Sequence, residues 1–218
     1  MSIGTVAEIT KAVEAIDYQS AHRFEVIESV AFDTRKLGPK SLFVPLQGQT
    51  DGHDYIEQAI QAGATAVLWG KQDVTPPDGI CAIWVDDPLQ AFQKLAKWYL
   101  EKVSPRIVGI TGSSGKTTTK DMTAAALGAR YRVYKTQGNF NNDIGLPQTI
   151  LDMPESTEAL VLEMGMSDFH EIEFLSKLAL PEVVAITLIG ESHMEQLGSK
   201  EGIAKAKLEI LSGLQENG

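Results

Sequence analysis

A single cysteine, Cys81, among 218 residues leaves no material for a disulfide framework or a thiolate metal cluster. Basic residues are scarce as well: 19 Lys and Arg against 29 Asp and Glu give a formal net charge of −10. Without a broad basic field there is little to displace counterions from a polyanion, which argues against nucleic acid as the main partner. Small anions stay open as ligands, because a few backbone N–H groups and one or two cations hold them whatever the global charge. The longest apolar runs are strand-sized, well short of the roughly 20 residues that span a membrane. The opening stretch MSIGTVAEIT lacks a basic segment ahead of an apolar core, so no secretory signal is expected and a cytoplasmic protein is read.

What the chain does have is alternation. Residues 1–18 predict a short amphipathic helix with Val6, Ile9, Val13 and Ile16 on one face. Strand-like runs SLFVPL (41–46), TAVLWG (65–70) and CAIWV (81–85) follow, separated by a helical YIEQAIQAGA and closed by the long amphipathic PLQAFQKLAKWYLEK. A small α/β domain over residues 1–103 is expected, ending where Ser104-Pro105 interrupts the helix. From 104 to 218 the alternation restarts: RIVGIT, YRVYKT, EALVLEMG and EVVAITLIG read as strands with helices between and a last helix SKEGIAKAKLEILSGL. These strands are near-continuous apolar runs, as in a parallel sheet covered on both faces. The alternation then stops where another strand would be expected, which reads as a truncated chain.

The stretch GITGSSGKTTTKDMTAAAL (109–127) sets the chemistry. A common P-loop has Gly, four residues, then Gly-Lys-Ser/Thr, but the position of the first glycine is Ile110. Gly112 and Gly115 still permit a tight turn with exposed N–H groups, and Lys116 and Thr117 open a helix whose positive end faces the loop. Lysine supplies a charge for phosphates and threonine a hydroxyl for Mg²⁺. Glu163 ends a buried strand near that loop, where P-loop enzymes keep a metal-binding acid; a cap or a buried ion pair is the plainer alternative. His193 follows the fourth strand at the same edge, as metal or phosphate ligand or as a structural histidine. Lys207 falls within the apolar stripe of the last helix, among Ile203, Ile210, Leu211 and Leu214. It either snorkels there or meets a specific partner or modification. Asn139, Asn141 and Asn142 crowd a loop after the second strand of this domain, and DTR (33–35) and DGHDY (51–55) bracket SLFVPL; turn chemistry alone explains such residues.

Together TGSSGKTT, FDTRKLGPKSLFVPLQGQTDGHDYIEQAIQAGA, KTQGNFNNDIGLPQTIL, LVLEMGM and IAKAKLEI resemble the Mur ligase family of ATP-dependent amide-forming enzymes, over residues 25–213 or so. The family's loop lacks the early glycine too. The resemblance implies that Gly112, Ser113, Ser114, Gly115, Lys116, Thr117 and Thr118 bind ATP phosphates. It also implies that Thr117, Glu163, His193 and a carbamylated Lys207 hold Mg²⁺, with Lys116, Glu163, His193 and Lys207 as the catalytic set. Asp33, Thr34, Arg35, Asp51, Gly52 and His53 would meet the UDP-sugar substrate from the first domain, and Asn139 and Asn142 from the second. TQGNFNNDIGLP points to the member that joins D-alanyl-D-alanine to UDP-N-acetylmuramoyl-tripeptide through an acyl phosphate, with the chain as a monomer lacking turnover by itself. Three other readings stay open: the sister ligase that adds lysine or diaminopimelate, a non-catalytic UDP-sugar- or nucleotide-binding fragment, and a P-loop phosphotransferase with another acceptor.

Overall fold

The computed structural model describes residues 2–190, 197–216 and 218. It is a mixed α/β structure of two compact units, Met1–Tyr99 and Leu100–Gly218.

The first unit opens with β1 (Gly4–Thr5) and α1 (Val6–Ala12). Thr5 and Glu8 form a capping box, each side chain accepting the other's backbone N–H, which fixes the start of α1. Val6, Ile9 and Val13 are buried as expected, whereas Ile16 is 55% exposed. The apolar period ends early because Glu14 takes a left-handed φ of 53° and turns the chain out of the helix. Then come β2 (Asp17–Tyr18), β3 (Val26–Ile27), β4 (Ser29–Ala31), β5 (Ser41–Phe43), α2 (Ile56–Gln61), β6 (Ala64–Trp69) and β7 (Cys81–Trp84). The sheet order is β2-β7-β6-β5-β4, parallel throughout except for the antiparallel β2. β1 pairs separately with β3. Strands β3 and β4 gave no sequence signal, since Glu25 and Glu28 break up two very short apolar pieces. Phe43, Ala59, Val67, Trp69 and Ala82 pack as one core between the sheet and α2.

Helix α3 (Pro88–Val103) precedes the second sheet, which holds β8 (Arg106–Thr111), β9 (Val133–Lys135), β10 (Ala159–Glu163) and β11 (Val183–Ile186). Helices α4 (Lys116–Leu127), α5 (Gly145–Asp152) and α6 (Glu171–Ala179) make the crossovers, and α7 (Lys200–Leu208) follows. The order is β11-β8-β10-β9, with every pair parallel. The crossover from β8 leads to one side of it and the chain later returns to the other, so the loop after β8 opens at a switch in strand order. Only part of the sheet is covered on both faces: β10 is buried along its length, but β9 is half-buried and Val183 of β11 is 56% exposed. Those two strands lie at the edges, where apolar sequence does not ensure cover.

The predicted last helix tightens into a 3₁₀ turn over Glu209–Gly213. The tighter winding rotates Leu211 out to 47% exposure while Ile203, Lys207 and Ile210 stay buried. Buried Ser176 of α6 fastens this turn, its hydroxyl donating to Ile210 O at 2.5 Å and accepting from Gly213 N at 3.0 Å. A Cβ on Gly213 would stand 2.0 Å from Ser176 O. Gly213→Ala is therefore expected to lower stability by about 1–3 kcal/mol, read by urea unfolding; an unchanged midpoint would show that the turn is not so fastened.

Candidate functional site

Strand β8 delivers the chain to the carboxyl edge of the sheet, and residues 112–115 turn it into α4. Gly115 adopts φ 81°, and at Gly112 a Cβ would meet Thr187 Oγ1 at 1.9 Å, so both places exclude a side chain. The turn is clamped from the end of β11. Thr187 Oγ1 is set to donate to Ser114 O at 2.5 Å or Thr111 O at 3.2 Å, Ser113 N donates to Leu188 O at 2.8 Å, and Gly190 N to Ser113 Oγ at 3.0 Å. Nothing in the sequence singled out Thr187, a lone threonine at a strand end. Lys116 folds back over the turn and donates to Gly112 O at 2.7 Å. Thr111 Oγ1, buried at the root of the loop, has no partner among the described residues.

Glu163 ends β10 with only 3% of its surface exposed. Thr117 donates its hydroxyl to Oε2 and Asn141 its amide to Oε1, both at 2.9 Å, and the backbone N–H of Glu163 is held by Thr136 Oγ1 at 3.0 Å. No lysine or arginine among the described residues pairs with this carboxylate. Asn141, read from sequence only as one of an asparagine run, is thus the member that reaches the acid. Asn139 is exposed, and Asn142 uses Oδ1 to accept from Gly145 N at 2.8 Å, capping α5. Lys207 is 2% exposed, and burial first and the charge of Lys116 second push its amine down from 10.5 to about 8. No described carboxylate is bound to either lysine, and burial rather than snorkelling is the state of Lys207. His193 lies outside the described residues; among those described, no three His, Cys, Asp or Glu side chains gather as a metal site. Thr117 Oγ1 and the Glu163 oxygens are hard oxygen donors around an uncompensated negative charge. That suits Mg²⁺, which takes one or two protein oxygens and fills its sphere with phosphate and water.

In the first unit the DTR and DGH segments meet. A cavity of about 490 Å³ is lined by Asp33, Thr34, Arg35 and Gly52, together with Phe32, Phe43, Tyr55 and Gln58. Phe32, just ahead of DTR, and Tyr55, the last residue of DGHDY, add two aromatic rings to the wall. Asp33 accepts from the Arg35 backbone at 3.0 Å and from its guanidinium at 2.7 Å, and these bonds hold its carboxyl at about 2. Asp51 and His53 stand behind the cavity. His53 Nδ1 meets Asp51 Oδ1 at 2.7 Å, and its Nε2 accepts from Gly70 N at 3.1 Å, so both ring nitrogens are committed within the protein. Burial raises the Asp51 carboxyl, but bonds from Lys71 and His53 outweigh it and hold it far below the usual range.

Strand, glycine turn, lysine-threonine helix start and buried strand-end acid are the architecture of a P-loop α/β unit. Residues 26–99 match the catalytic domain of the Mur ligase family and residues 110–218 the Mur ligase middle domain; the chain belongs to this family. The UDP-N-acetylmuramoyl-tripeptide–D-alanyl-D-alanine ligase of Bacillus subtilis (strain 168) is 55% identical to it over 98% of this chain and 47% of that protein. The chain thus spans about half the length of the curated relatives it matches. Among solved structures, the UDP-N-acetylmuramoylalanyl-D-glutamyl-2,6-diaminopimelate–D-alanyl-D-alanyl ligase of Acinetobacter baumannii superposes with a TM-score of 0.89 at 28% identity, covering 100% of this chain and 48% of that one. The MurF ligase of Thermotoga maritima in complex with ADP gives 0.78 at 35% identity, covering 87% and 44%. None of the described helices is long and apolar enough to cross a membrane.

The buried Lys207 amine has a measurable consequence. Its folded-state pKa lies below that of the unfolded chain, so between pH about 8 and 10.5 the unfolded state binds more protons and stability rises with pH. In the chain free of nucleotide and metal, Lys207→Met is expected to remove up to roughly 1.4 kcal/mol per pH unit of that rise. Urea unfolding of both proteins across the window checks it; parallel curves would place the amine in water.

Proposed function

We propose that this chain is the nucleotide-binding part of an ATP-dependent ligase that forms the C–N bond between UDP-N-acetylmuramoyl-tripeptide and D-alanyl-D-alanine in peptidoglycan precursor synthesis. The observation that carries this is the charge arrangement around the P-loop: among the described residues, a buried acid at Glu163 with no cation on it, and Lys116 with no carboxylate on it. Magnesium and a nucleotide triphosphate satisfy both at once, and the names of the relatives supply the acceptor and donor. Residues 1–103 are assigned to the UDP-muropeptide and 104–218 to ATP. Bound Mg²⁺-ATP would supply the phosphoryl group that activates the terminal carboxylate of the tripeptide.

The chain's own residues would contribute positioning and charge. Backbone N–H groups of residues 112–118 cradle the phosphates, and the Lys116 amine exchanges Gly112 O for a phosphate oxygen. Thr117 and Glu163 would hold the metal, with His193 added as the family resemblance implies, and Asn141 would keep the Glu163 carboxylate in place. A Lys207 amine at about 8 has a neutral fraction near pH 7, the form that reacts with carbon dioxide to give a carbamate, so desolvation prepares the modification that the family resemblance implies. In the first unit the cavity beside Asp33, Thr34 and Arg35 would take the UDP end, with Phe32 and Tyr55 offering ring faces to the base.

Calorimetric titration of Mg²⁺-ADP into this chain tests the reading. Saturable binding is expected, weakened at least tenfold by Lys116→Ala. Chelating magnesium should weaken the native chain and leave Glu163→Gln unchanged. Equal affinities for the native chain and the Lys116 variant would sink the proposal.

A further inference from the structure

Helix α6 begins without a cap of its own. His170 stands at its N-cap position with a left-handed φ of 69°, and its side chain makes no capping bond, so the first N–H groups need an acceptor from elsewhere. Glu209 supplies it from 39 residues further along the chain. Its Oε1 and Oε2 accept from His170 N at 3.0 and 2.9 Å, and Oε2 also accepts from Glu173 N at 3.4 Å. A carboxylate suits the positive end of a helix, and its bonds to N–H groups are charge-assisted. A histidine stays in the left-handed region only where surrounding contacts hold it, and this carboxylate is one of them.

The same bond begins a row of ties that lay residues 209–215 along α6. Buried Ser176 holds Ile210 O and Gly213 N, and past the end of the helix Gln215 donates Nε2 to Leu180 O at 2.8 Å and N to Pro181 O at 3.1 Å. Ile210 is fully buried, its Cδ1 3.5 Å from where a Cβ on Gly109 would stand, in the strand that feeds the P-loop. Of these ties Glu209 is the nearest in sequence to Lys207, which lies in the last turn of α7. The winding changes from α to 3₁₀ at Glu209 itself. Burial first and the charge of Lys116 second shift the Lys207 amine, and Glu209 has no part in that, so its influence runs through the backbone.

We propose that Glu209 is a positioning residue for Lys207: by capping α6 it fixes the rotation at which the end of α7 directs that side chain inward. The assignment rests on the role proposed for Lys207 above. In that role the neutral amine attacks the carbon of carbon dioxide. A C–N bond forms, one C=O electron pair passes to oxygen and a proton leaves the nitrogen for solvent, which gives a carbamate anion. Without the cap the His170 and Glu173 N–H groups turn to water, which half-exposed Glu209 already meets, so the fold survives while the junction before it loosens.

Carbon NMR of this 218-residue chain with isotope-labelled bicarbonate and saturating Mg²⁺-ADP tests the proposal, the Lys207 carbamate being the signal that Lys207→Met removes. Glu209→Ala, shown by circular dichroism to be folded, is expected to lower that signal by about fivefold. Glu209→Gln keeps an oxygen for His170 N and is expected to retain most of it. A native-sized signal in Glu209→Ala would overturn the positioning role and leave the Lys207 reading standing. An equal loss in both variants would overturn it too, because a cap needs only an acceptor oxygen. Absence of any Lys207-dependent signal from the native chain would overturn both.

Discussion

The carboxylate of Glu163 is the point from which the second unit is organised. A buried acid is tolerable only if its oxygens are engaged, and here one oxygen takes the Thr117 hydroxyl and the other the Asn141 amide. Those two bonds tie the first turn of α4 and the loop after β9 to the end of β10. The parallel register of β10 against β8 brings the acid level with Ile110, just before the glycine turn. A strand slipped by one residue would turn the acid to the other face of the sheet and leave the threonine without its acceptor.

Rigidity at this edge comes from packing as much as from hydrogen bonds. Thr187 leaves no space for a Cβ at Gly112 and offers its hydroxyl to the carbonyls of Thr111 and Ser114, so the end of β11 shapes the loop from the side opposite α4. On the far side of the sheet Ser176 fastens the 3₁₀ turn after α7. That turn follows the helix carrying Lys207, so the buried amine is held on a rigid element rather than on a loose side chain. Desolvation and Lys116 then favour its neutral form, a state a surface lysine does not reach.

The first unit follows a different logic. Asp33 and Asp51 begin short 3₁₀ turns by accepting the N–H two residues on, and each turn presents part of a cavity wall. Arg35 and Thr34 come forward with Gly52, while Asp51 and His53 stay behind as struts. A motif read as six equivalent contacts thus separates into groups that face the cavity and groups that hold it in shape. The separation follows from hydrogen-bond saturation: a histidine with both nitrogens engaged has none left for a ligand.

Local pattern determined much of this. The glycine loop, the lysine and threonine opening a helix, the strand-end acid and the alternation of apolar strands with amphipathic helices all depend on residues close in sequence, and each was legible there. The place of Lys207 in the apolar stripe could be read as well, because helical period puts it between Ile203 and Ile210, but whether its amine is buried or snorkels out could not. Long-range geometry was not legible. That Asn141 rather than its neighbours reaches Glu163, that Thr187 clamps the loop, that Phe32 and Tyr55 share a cavity with Arg35, and that Leu211 turns outward all depend on contacts between distant segments or on a change of helical winding. Sequence fixes which groups are available and on which face of an element they lie; packing, which no single segment contains, decides which of them meet.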